Sequence, residues 1–314
     1  MEHCLRVELL LLMGCLLSAL PVGAQNPPPL ADEPEEPDFA FISSSAYLQG
    51  KNSAQFIHQT AYGTRRFIEP SGGGRNEDEF LFFQRLEYGL TDRWEFDFVL
   101  PAAGSRTRLN GRTIASQYAL ADGLVGVRFG LLREGNAPVT LSMGPQLIFP
   151  SGSVRRGTGS GSPGFAWDVA ASKDWRGPIF LYTTFNYHVL PWASDTTPDS
   201  ARGFRLHGAD WATAVGLRAL ERSRHGRRQD IHILFEGGGS WQQEVKPGVT
   251  FGERKGKLSW VVSPGIRYGF QTSRRTLVEI GVAAPIGLGP HGPKHGIIIQ
   301  FQYEIYFTQP PAVP

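Results

Sequence analysis

"GLTDRWEFDFVLP", residues 89–101, joins a short polar turn to a segment in which apolar and acidic residues alternate. Trp94 and Phe96 alternate with Glu95 and Asp97, which is the two-residue period of a β-strand with one apolar and one polar face. In a soluble β-sandwich the aromatic face would pack into a core and the acids would face water. In a membrane β-barrel the aromatic face would contact lipid and the acids would line the interior. The rest of the chain discriminates between these two interpretations.

The N-terminus has the layout of a secretory signal peptide, which we assign to residues 1–24. Arg6 precedes an apolar run at residues 9–20, and a run of that length is too short to span a membrane as a helix. Both cysteines, Cys4 and Cys15, lie inside this segment. The protein that remains after cleavage would therefore contain no disulfide bond.

The composition excludes two classes of protein. A net charge of +2 is too small to favour nucleic acid as a partner. The mean hydropathy is −0.21, and after the signal peptide no apolar run approaches the roughly 18–20 residues of a membrane helix. A helical inner-membrane protein is therefore excluded. A β-barrel is not, because alternation lowers the average hydropathy of its strands.

The remaining chain divides into a short N-terminal segment, a strand-rich domain and a tail. Residues 25–50 open with the proline-rich, acidic sequence NPPPLADEPEEPDF, which is typical of a flexible segment. A barrel domain is predicted over residues 51–307, followed by a short C-terminal tail at residues 308–314. Twelve strands are expected in the barrel, with approximate spans 54–67, 78–90, 93–103, 122–132, 138–149, 164–175, 178–190, 205–220, 229–241, 256–270, 275–286 and 295–307.

The connections between these strands alternate in length. Residues 91–93, 133–138, 176–177 and 271–275 form short connections and residues 221–229 an intermediate one, whereas residues 69–78, 103–121, 151–164, 191–204, 242–257 and 287–295 form longer polar loops. Short turns at one end, long loops at the other and an even strand count are typical of outer-membrane barrels. We therefore predict an all-β fold, a transmembrane antiparallel β-barrel of about 12 strands. Its expected location is the outer membrane of a Gram-negative-type cell envelope.

If the aromatic rows face lipid, the opposite rows point into the lumen and carry both signs of charge. The predicted lumen-lining charged residues are Arg85, Glu87, Glu95, Asp97, Arg128, Asp168, Arg218, Glu236, Arg267, Glu279 and Glu304. On the lipid-facing row a charge would cost about 2–4 kcal/mol at the bilayer centre, and none of this set falls there. Most are expected in the periplasmic half. Two interpretations stay open and are compatible: a salt-bridge network that holds the barrel in shape, and a polar constriction that selects solutes.

Aromatic residues near strand ends fit the girdles that mark the two membrane–water interfaces. The predicted interface aromatics are Tyr88, Trp94, Trp175, Trp211, Trp260, Tyr268 and Phe307. An envelope hydrolase would instead need a nucleophile paired with a histidine. His188, His207 and His232 have no serine at a spacing that suggests such a pair. We therefore predict no enzymatic activity, no metal site and no cofactor.

Three stretches carry a resemblance to a known family. They are EYGLTDRWEFDFVLP, ADGLVGVRFGLL and PQLIFPSGSVRRGTGSGSPGFAWDVAASKDW. In this order they resemble the outer-membrane transporter-like β-barrel family associated with phenol meta-pathway degradation, in which a GLTDR hairpin, a strand start like Asp122-Gly123 and a P-[ST]-G…GTG loop recur. The resemblance spans about residues 55–307. The proline- and glutamate-rich N-terminal segment and the sequence TQPPAVP after Phe307 depart from the family's pattern.

The resemblance implies an outer-membrane channel or transporter for passive uptake of small solutes, including aromatic or apolar ones. It brings no catalytic residues, because the family's motifs are strand and turn patterns. The expected partners are outer-membrane lipids, the barrel-assembly machinery and small-molecule solutes. The alternative hypothesis is an envelope β-barrel without a transport role, either structural or a lipid-modifying enzyme.

Overall fold

The computed structural model describes residues 40–68, 74–175, 178–194, 204–224, 227–245, 256–273, 275–289 and 294–307. The predicted signal peptide and C-terminal tail lie outside these residues. Within them the chain forms fourteen β-strands and one turn of 3₁₀ helix at Val154–Arg156. No helix in this part of the chain is long and apolar enough to cross a membrane.

The strand bounds agree with the predicted spans to within a few residues for most of the chain. The strands are β1 (Ser53–Ile68), β2 (Gly74–Thr91), β3 (Trp94–Leu109), β4 (Arg112–Leu120), β5 (Gly123–Leu132), β6 (Thr140–Phe149), β7 (Gly164–Asp174), β8 (Ile179–Ala193), β9 (Phe204–Arg224), β10 (Arg227–Val245), β11 (Gly256–Ser273), β12 (Thr276–Ala283), β13 (Ile286–Gly287) and β14 (His295–Tyr306).

Twelve of these strands form the wall of a closed barrel. Each wall strand pairs antiparallel with the wall strands before and after it in the chain. β1 pairs with β14 over the register Ser53↔Tyr306 to Thr64↔His295, so the sheet has no free edge along the wall. The all-β, 12-stranded antiparallel barrel predicted from the sequence is confirmed. Below, the end with the connections at residues 91–93 and 133–139 is called the turn end, and the opposite end the loop end.

The two faces of the wall have opposite character. On β3, Glu95 and Asp97 are buried inside the barrel, whereas Trp94 on the opposite row is 44% exposed on the outside. The same alternation recurs on β14, where Ile297 and Ile299 are exposed and Gln300 and Gln302 are buried. An apolar outer surface around a charged interior is the reverse of a soluble fold. It matches a barrel that contacts lipid.

One predicted loop is a β-hairpin. Residues 103–121 were expected to form a long loop, but β3 continues to Leu109 and returns as β4, which pairs only with β3 among the described strands. The turn is Asn110-Gly111, with φ of 48° and 82°. Positive φ at both positions is the requirement of a type I′ hairpin turn, and Asn-Gly is its preferred sequence. The hairpin extends the wall beyond β5 at the loop end.

The predicted strand 275–286 is divided in two. β12 ends at Ala283, and Ile286–Gly287 forms the separate short β13, which pairs with both β11 and β14. Pro285 lies between them and has no N–H to donate to the ladder, so the strand is interrupted at that position.

Residues 40–52, called the lumen segment below, lie inside the barrel. The sequence-based expectation of a flexible segment at residues 25–50 therefore does not describe residues 40–50. Ala40 and Phe41 are buried and pack in one cluster with Phe180, Tyr182 and Leu234 on the wall. Burial is possible here because "AFISSSAYLQG" contains neither proline nor charge, unlike the acidic sequence before it.

Candidate functional site: the lumen and the segment that crosses it

One carboxylate on β10 holds the N-terminal end of the lumen segment. Glu236 Oε1 accepts the backbone N–H of Phe41 at 2.6 Å, and Oε2 accepts those of Ile42 at 2.7 Å and Ser43 at 3.0 Å. Hydrogen bonds from N–H donors to an ionised carboxylate are about twice as strong as neutral ones. Glu236 is fully buried, so these three donors replace the water that its charge would otherwise require.

The middle of the lumen segment contacts β2, β5 and β7. The backbone N–H of Ala46 donates to Ser172 Oγ at 2.7 Å, and Arg128 Nη1 donates to the carbonyl oxygen of Ser45 at 2.9 Å. Arg85 Nη1 donates to Ser44 Oγ at 3.3 Å. The irregular backbone here has no strand partner, and wall side chains satisfy its polar groups instead.

The C-terminal end of the lumen segment is fixed beside β1 and β3. The N–H of Gln49 donates to Glu95 Oε2, and Gln49 Nε2 donates to Gln55 Oε1, both at 2.5 Å. The Tyr47 hydroxyl donates to Glu134 Oε2 at 2.8 Å in the turn after β5. Burial, followed by the nearby Glu134 carboxylate, raises the pKa of the Tyr47 hydroxyl far above its ordinary value. Tyr47 therefore stays protonated and keeps donating to Glu134.

Two glycines on the wall make room for the ring of Phe41. A Cβ added at Gly265 or Gly281 would lie 2.6 Å from a ring carbon of Phe41. The Arg267 guanidinium lies 5.3 Å from the centre of the same ring, and its Nη2 donates to the Ala40 carbonyl oxygen at 3.2 Å. The wall is thus shaped to receive this segment in one position.

Three carboxylates and two arginines form a network next to the C-terminal end of the lumen segment. Arg128 Nη2 contacts Glu95 Oε1 at 2.5 Å and Glu87 Oε1 at 3.2 Å, and its Nε lies 3.2 Å from Asp97 Oδ2. Arg85 Nη2 contacts Glu87 at 2.8 Å and Asp97 at 3.0 Å. The three carboxylates are close enough together to share a metal ion. The two guanidinium groups already supply positive charge at that point.

The other predicted charges lie around the same interior. Arg267 Nη1 is 3.6 Å from Glu279, Arg218 Nη2 is 2.5 Å from Asp174, and Glu304 is buried opposite Gln55 on β1. The structure places all eleven predicted lumen charges on the inward face. Nine of them are at most 9% exposed: Glu87, Glu95, Asp97, Arg128, Asp168, Glu236, Arg267, Glu279 and Glu304. Arg85 and Arg218 have side-chain exposures of 11% and 9%.

Sequence reasoning missed the residues that hold the lumen segment without carrying charge. Ser172 and Gln55 are inward-facing wall residues, and Gln49 belongs to the segment itself. The sequence did contain a signal. Prolines and acids stop before residue 40, and the apolar and serine residues that follow are unlike a solvated tail.

Beyond the lumen segment, toward the loop end, the interior is open. One cavity of about 580 Å³ is lined by residues that include Ile42, Ala61, Phe80 and Ala103. A second cavity of about 320 Å³ is lined by Ile42, Ser44, Asp168, Thr184, Asn186, Asp210, Trp211, Ala212, Gly239, Ser240, Ser259 and Val261. Ile42 borders both cavities, so the lumen segment forms a floor between the open half of the barrel and its turn end.

The predicted interface aromatics lie on the outward rows or at the turn end. The exposed fractions of Trp94, Trp175, Tyr268 and Phe307 lie between 39% and 55%. The centres of the Tyr88 and Phe307 rings are 6.4 Å apart. Nearer the loop end, Trp211 and Trp260 meet edge to face at 5.1 Å. Both flank Gly239 across the strand ladder, and a Cβ at Gly239 would lie 2.5 Å from the Trp211 ring.

The three histidines weighed for catalysis lie in separate places. His207 Nδ1 contacts the Tyr187 hydroxyl at 2.7 Å, His188 lies 3.6 Å from Asp210, and His232 is buried edge-on against Phe180. Each of the three histidines contacts an aromatic or an acidic side chain.

A closed twelve-stranded antiparallel barrel with an apolar exterior and a charged interior is an outer-membrane β-barrel. Among solved structures, the chain is similar to an outer-membrane channel from Pseudomonas putida F1, with a TM-score of 0.55 and 11% identity over 88% of this chain and 99% of that one. It also matches the β-domain of the Bordetella autotransporter BrkA (TM-score 0.47, 8% identity, 82% and 100% coverage) and the monoaromatic hydrocarbon channel CymD (TM-score 0.37, 9% identity, 82% and 89% coverage). At these identities the likeness is one of fold. No protein-family model and no curated protein matches the sequence.

Proposed function

We propose that the protein is an outer-membrane channel for the passive uptake of small solutes and that its lumen segment is the constriction. The observation that carries this proposal is the unequal filling of the lumen. Wall side chains and residues 40–52 fill the half nearer the turn end, whereas cavities of about 580 and 320 Å³ remain in the other half. A barrel that served only as a scaffold would have no need of a cavity that ends on a separate floor.

The larger cavity of the open half favours small apolar solutes. Ala61, Ala103 and Ile42 contribute to the larger cavity, together with backbone positions at Gly63 and Gly104. Glu79, Gln117 and Arg156 also border this cavity, but most of its surface is apolar, and such a surface suits apolar or aromatic molecules better than sugars or peptides. This lining supports the proposed solute class.

The charges around the constriction favour cations among ionic solutes. Seven of the eleven predicted lumen charges are acids and four are arginines, and all of them face inward. Rings of carboxylates select cations in pores by long-range attraction. We therefore expect a modest cation preference in any ionic current through the barrel.

The alternative function is an envelope barrel with a structural or enzymatic role. Liposome swelling and planar-bilayer conductance with the purified full chain discriminate between the two. The channel proposal predicts swelling in small uncharged solutes and a current whose reversal potential in a KCl gradient indicates cation preference. No swelling in any small solute and no current, from protein that still shows heat-modifiable gel mobility, would overturn it.

A further inference from the structure

A cluster of charged side chains lies on the outside of the barrel, at the loop end of β1, β2 and β3. We call Arg66, Asp78, Arg106 and Arg108 the exterior arginine cluster. Their positions follow from strand register, since Thr64 pairs with Asp78 and Asp78 with Arg106, while Asn76 pairs with both Arg66 and Arg108. These residues lie on the outward row, which continues on β2 with Phe80 and Phe82, two and four residues past Asp78, and on β1 with Tyr62, four residues before Arg66.

Asp78 organises two of the arginines. Arg106 Nε donates to Asp78 Oδ2 at 3.0 Å, and Arg108 Nη2 lies 2.8 Å from the same oxygen. The Thr64 and Tyr62 hydroxyls donate to Oδ1 at 2.9 and 3.1 Å. Asp78 is completely buried by these partners, yet the side chains of Arg106 and Arg108 remain 38% and 32% exposed. One acid thus fixes two guanidinium groups whose side chains remain partly exposed.

The cluster lies directly above an aromatic belt. The Tyr62 and Phe80 rings are in contact at 5.2 Å and the Phe82 and Tyr118 rings at 5.7 Å. The Arg106 guanidinium lies 5.5 Å from the centre of the Phe80 ring. Aromatic belts mark the boundary between hydrocarbon and headgroups. The arginines next to the belt therefore lie at the depth of lipid headgroups.

We propose that this cluster binds a phosphate group of lipopolysaccharide in the outer leaflet. Three arginines and one aspartate carry a net charge of +2, and guanidinium groups bind phosphate through paired N–H donors. Asp78 holds two of them in place before binding, which reduces the conformational entropy lost when the lipid arrives. The loop end faces the outer leaflet in barrels of this organisation, and the lipid A of lipopolysaccharide carries phosphates at headgroup depth there.

The test measures binding of purified full-length protein in detergent to lipopolysaccharide with and without its lipid A phosphates. The Arg106→Gln/Arg108→Gln variant is expected to bind the phosphorylated form about tenfold more weakly, because each arginine contributes to attraction by an anionic lipid surface. Arg66→Gln is a second variant that leaves the contacts of Asp78 intact, and it should weaken binding in the same direction. Arg93→Gln is the matched control, since Arg93 is an exposed arginine at the turn end.

Several outcomes would overturn the proposal. They are equal binding by the double variant and the unchanged protein, equal binding of dephosphorylated lipopolysaccharide, and an equal loss in Arg93→Gln. Vesicles of phosphatidylglycerol and inorganic phosphate are tested in parallel. If either competes as well as lipopolysaccharide, the cluster is a general anion site and the assignment to lipopolysaccharide fails. Heat-modifiable mobility of each variant shows that the barrel is folded, and conductance is not needed for any of these measurements.

Discussion

The two halves of the lumen are built from the same alternating strands and yet have opposite contents. Toward the turn end, inward positions carry Glu87, Glu95, Asp97 and Arg128, and the lumen segment lies across them. Toward the loop end, Glu79, Asn186 and Asp210 still border the cavities, but many of the inward positions become small. They include Ala61, Gly63, Ala103, Ser105, Ser240, Ser259 and Val261, and cavities remain between them. Barrel closure sets the diameter for both halves, so the size of the inward side chains decides which half is open.

The comparison also shows what each half needs for stability. Charges in the filled half are buried and depend on one another, because removing one partner leaves the others without compensation. The open half also carries charged side chains, including Glu79, Asp168 and Asp210, but these border cavities. Substitutions in the filled half should therefore cost stability, whereas the open half should tolerate change.

The largest effect is expected for Arg128→Ala. Arg128 contacts Glu87, Glu95 and Asp97 and also the Ser45 carbonyl oxygen. Its loss leaves the buried Glu95 without an arginine partner and leaves Glu87 and Asp97 with Arg85 alone, so we expect the free energy of unfolding to fall by about 3–5 kcal/mol. Urea titration of the folded, heat-modifiable band in detergent measures this change. Arg93→Ala at the exposed turn is the control and should change stability little. A variant as stable as the unchanged protein would show that the ion network does not support the filled half.

A smaller effect is expected for Gly281→Ala, which adds a methyl group 2.6 Å from the Phe41 ring. Overpacking of this kind costs about 1–3 kcal/mol. Phe41→Ala in the same chain should relieve the clash, so the double variant should lose less stability than the two single losses combined. Gly237→Ala is the matched control, because a Cβ there meets nothing within 4 Å. Equal stability of Gly281→Ala and Gly237→Ala would contradict the position assigned to Phe41.

The barrel could be predicted from the sequence because two patterns indicate a wall that contacts lipid. They are the alternation of apolar and polar residues along the strands and the alternation of short and long connections between them. The same alternation assigned Glu95 and Arg128 to the lumen. It could not show that the two side chains touch, since strand register depends on how the whole sheet closes. The hairpin of β3 and β4 was missed because residues 103–121 lack apolar alternation, although Asn110-Gly111 is a strong hairpin signal.

The lumen segment could not be predicted by periodicity at all. Its residues form no strand, so neither a two-residue nor a helical period marks them. Their partners, such as Glu236 and Ser172, are 193–195 and 126 positions away in the chain. The exterior arginine cluster could not be predicted either. The sequence around Asp78 resembles a loop, and only the strand register shows that Arg106 lies beside it.

Single-channel conductance of a locked and a released lumen segment tests the central claim most directly. Glu236→Gln replaces the carboxylate that accepts three N–H groups with a neutral amide, which weakens those hydrogen bonds. In the same chain Ser45→Cys and Ser172→Cys replace two hydroxyls whose oxygens lie 3.4 Å apart, so that rotation of the two side chains can bring the sulfur atoms together to form a disulfide bond. If residues 40–52 constrict the lumen, Glu236→Gln should have a several-fold higher conductance. Conductance should return to the level of the unchanged protein when the two cysteines are oxidised, and the high level should recover on reduction.

Glu77→Gln at the loop end is the matched control and should leave conductance unchanged. The same conductance in the oxidised, reduced and unchanged proteins would contradict the claim that residues 40–52 constrict the lumen.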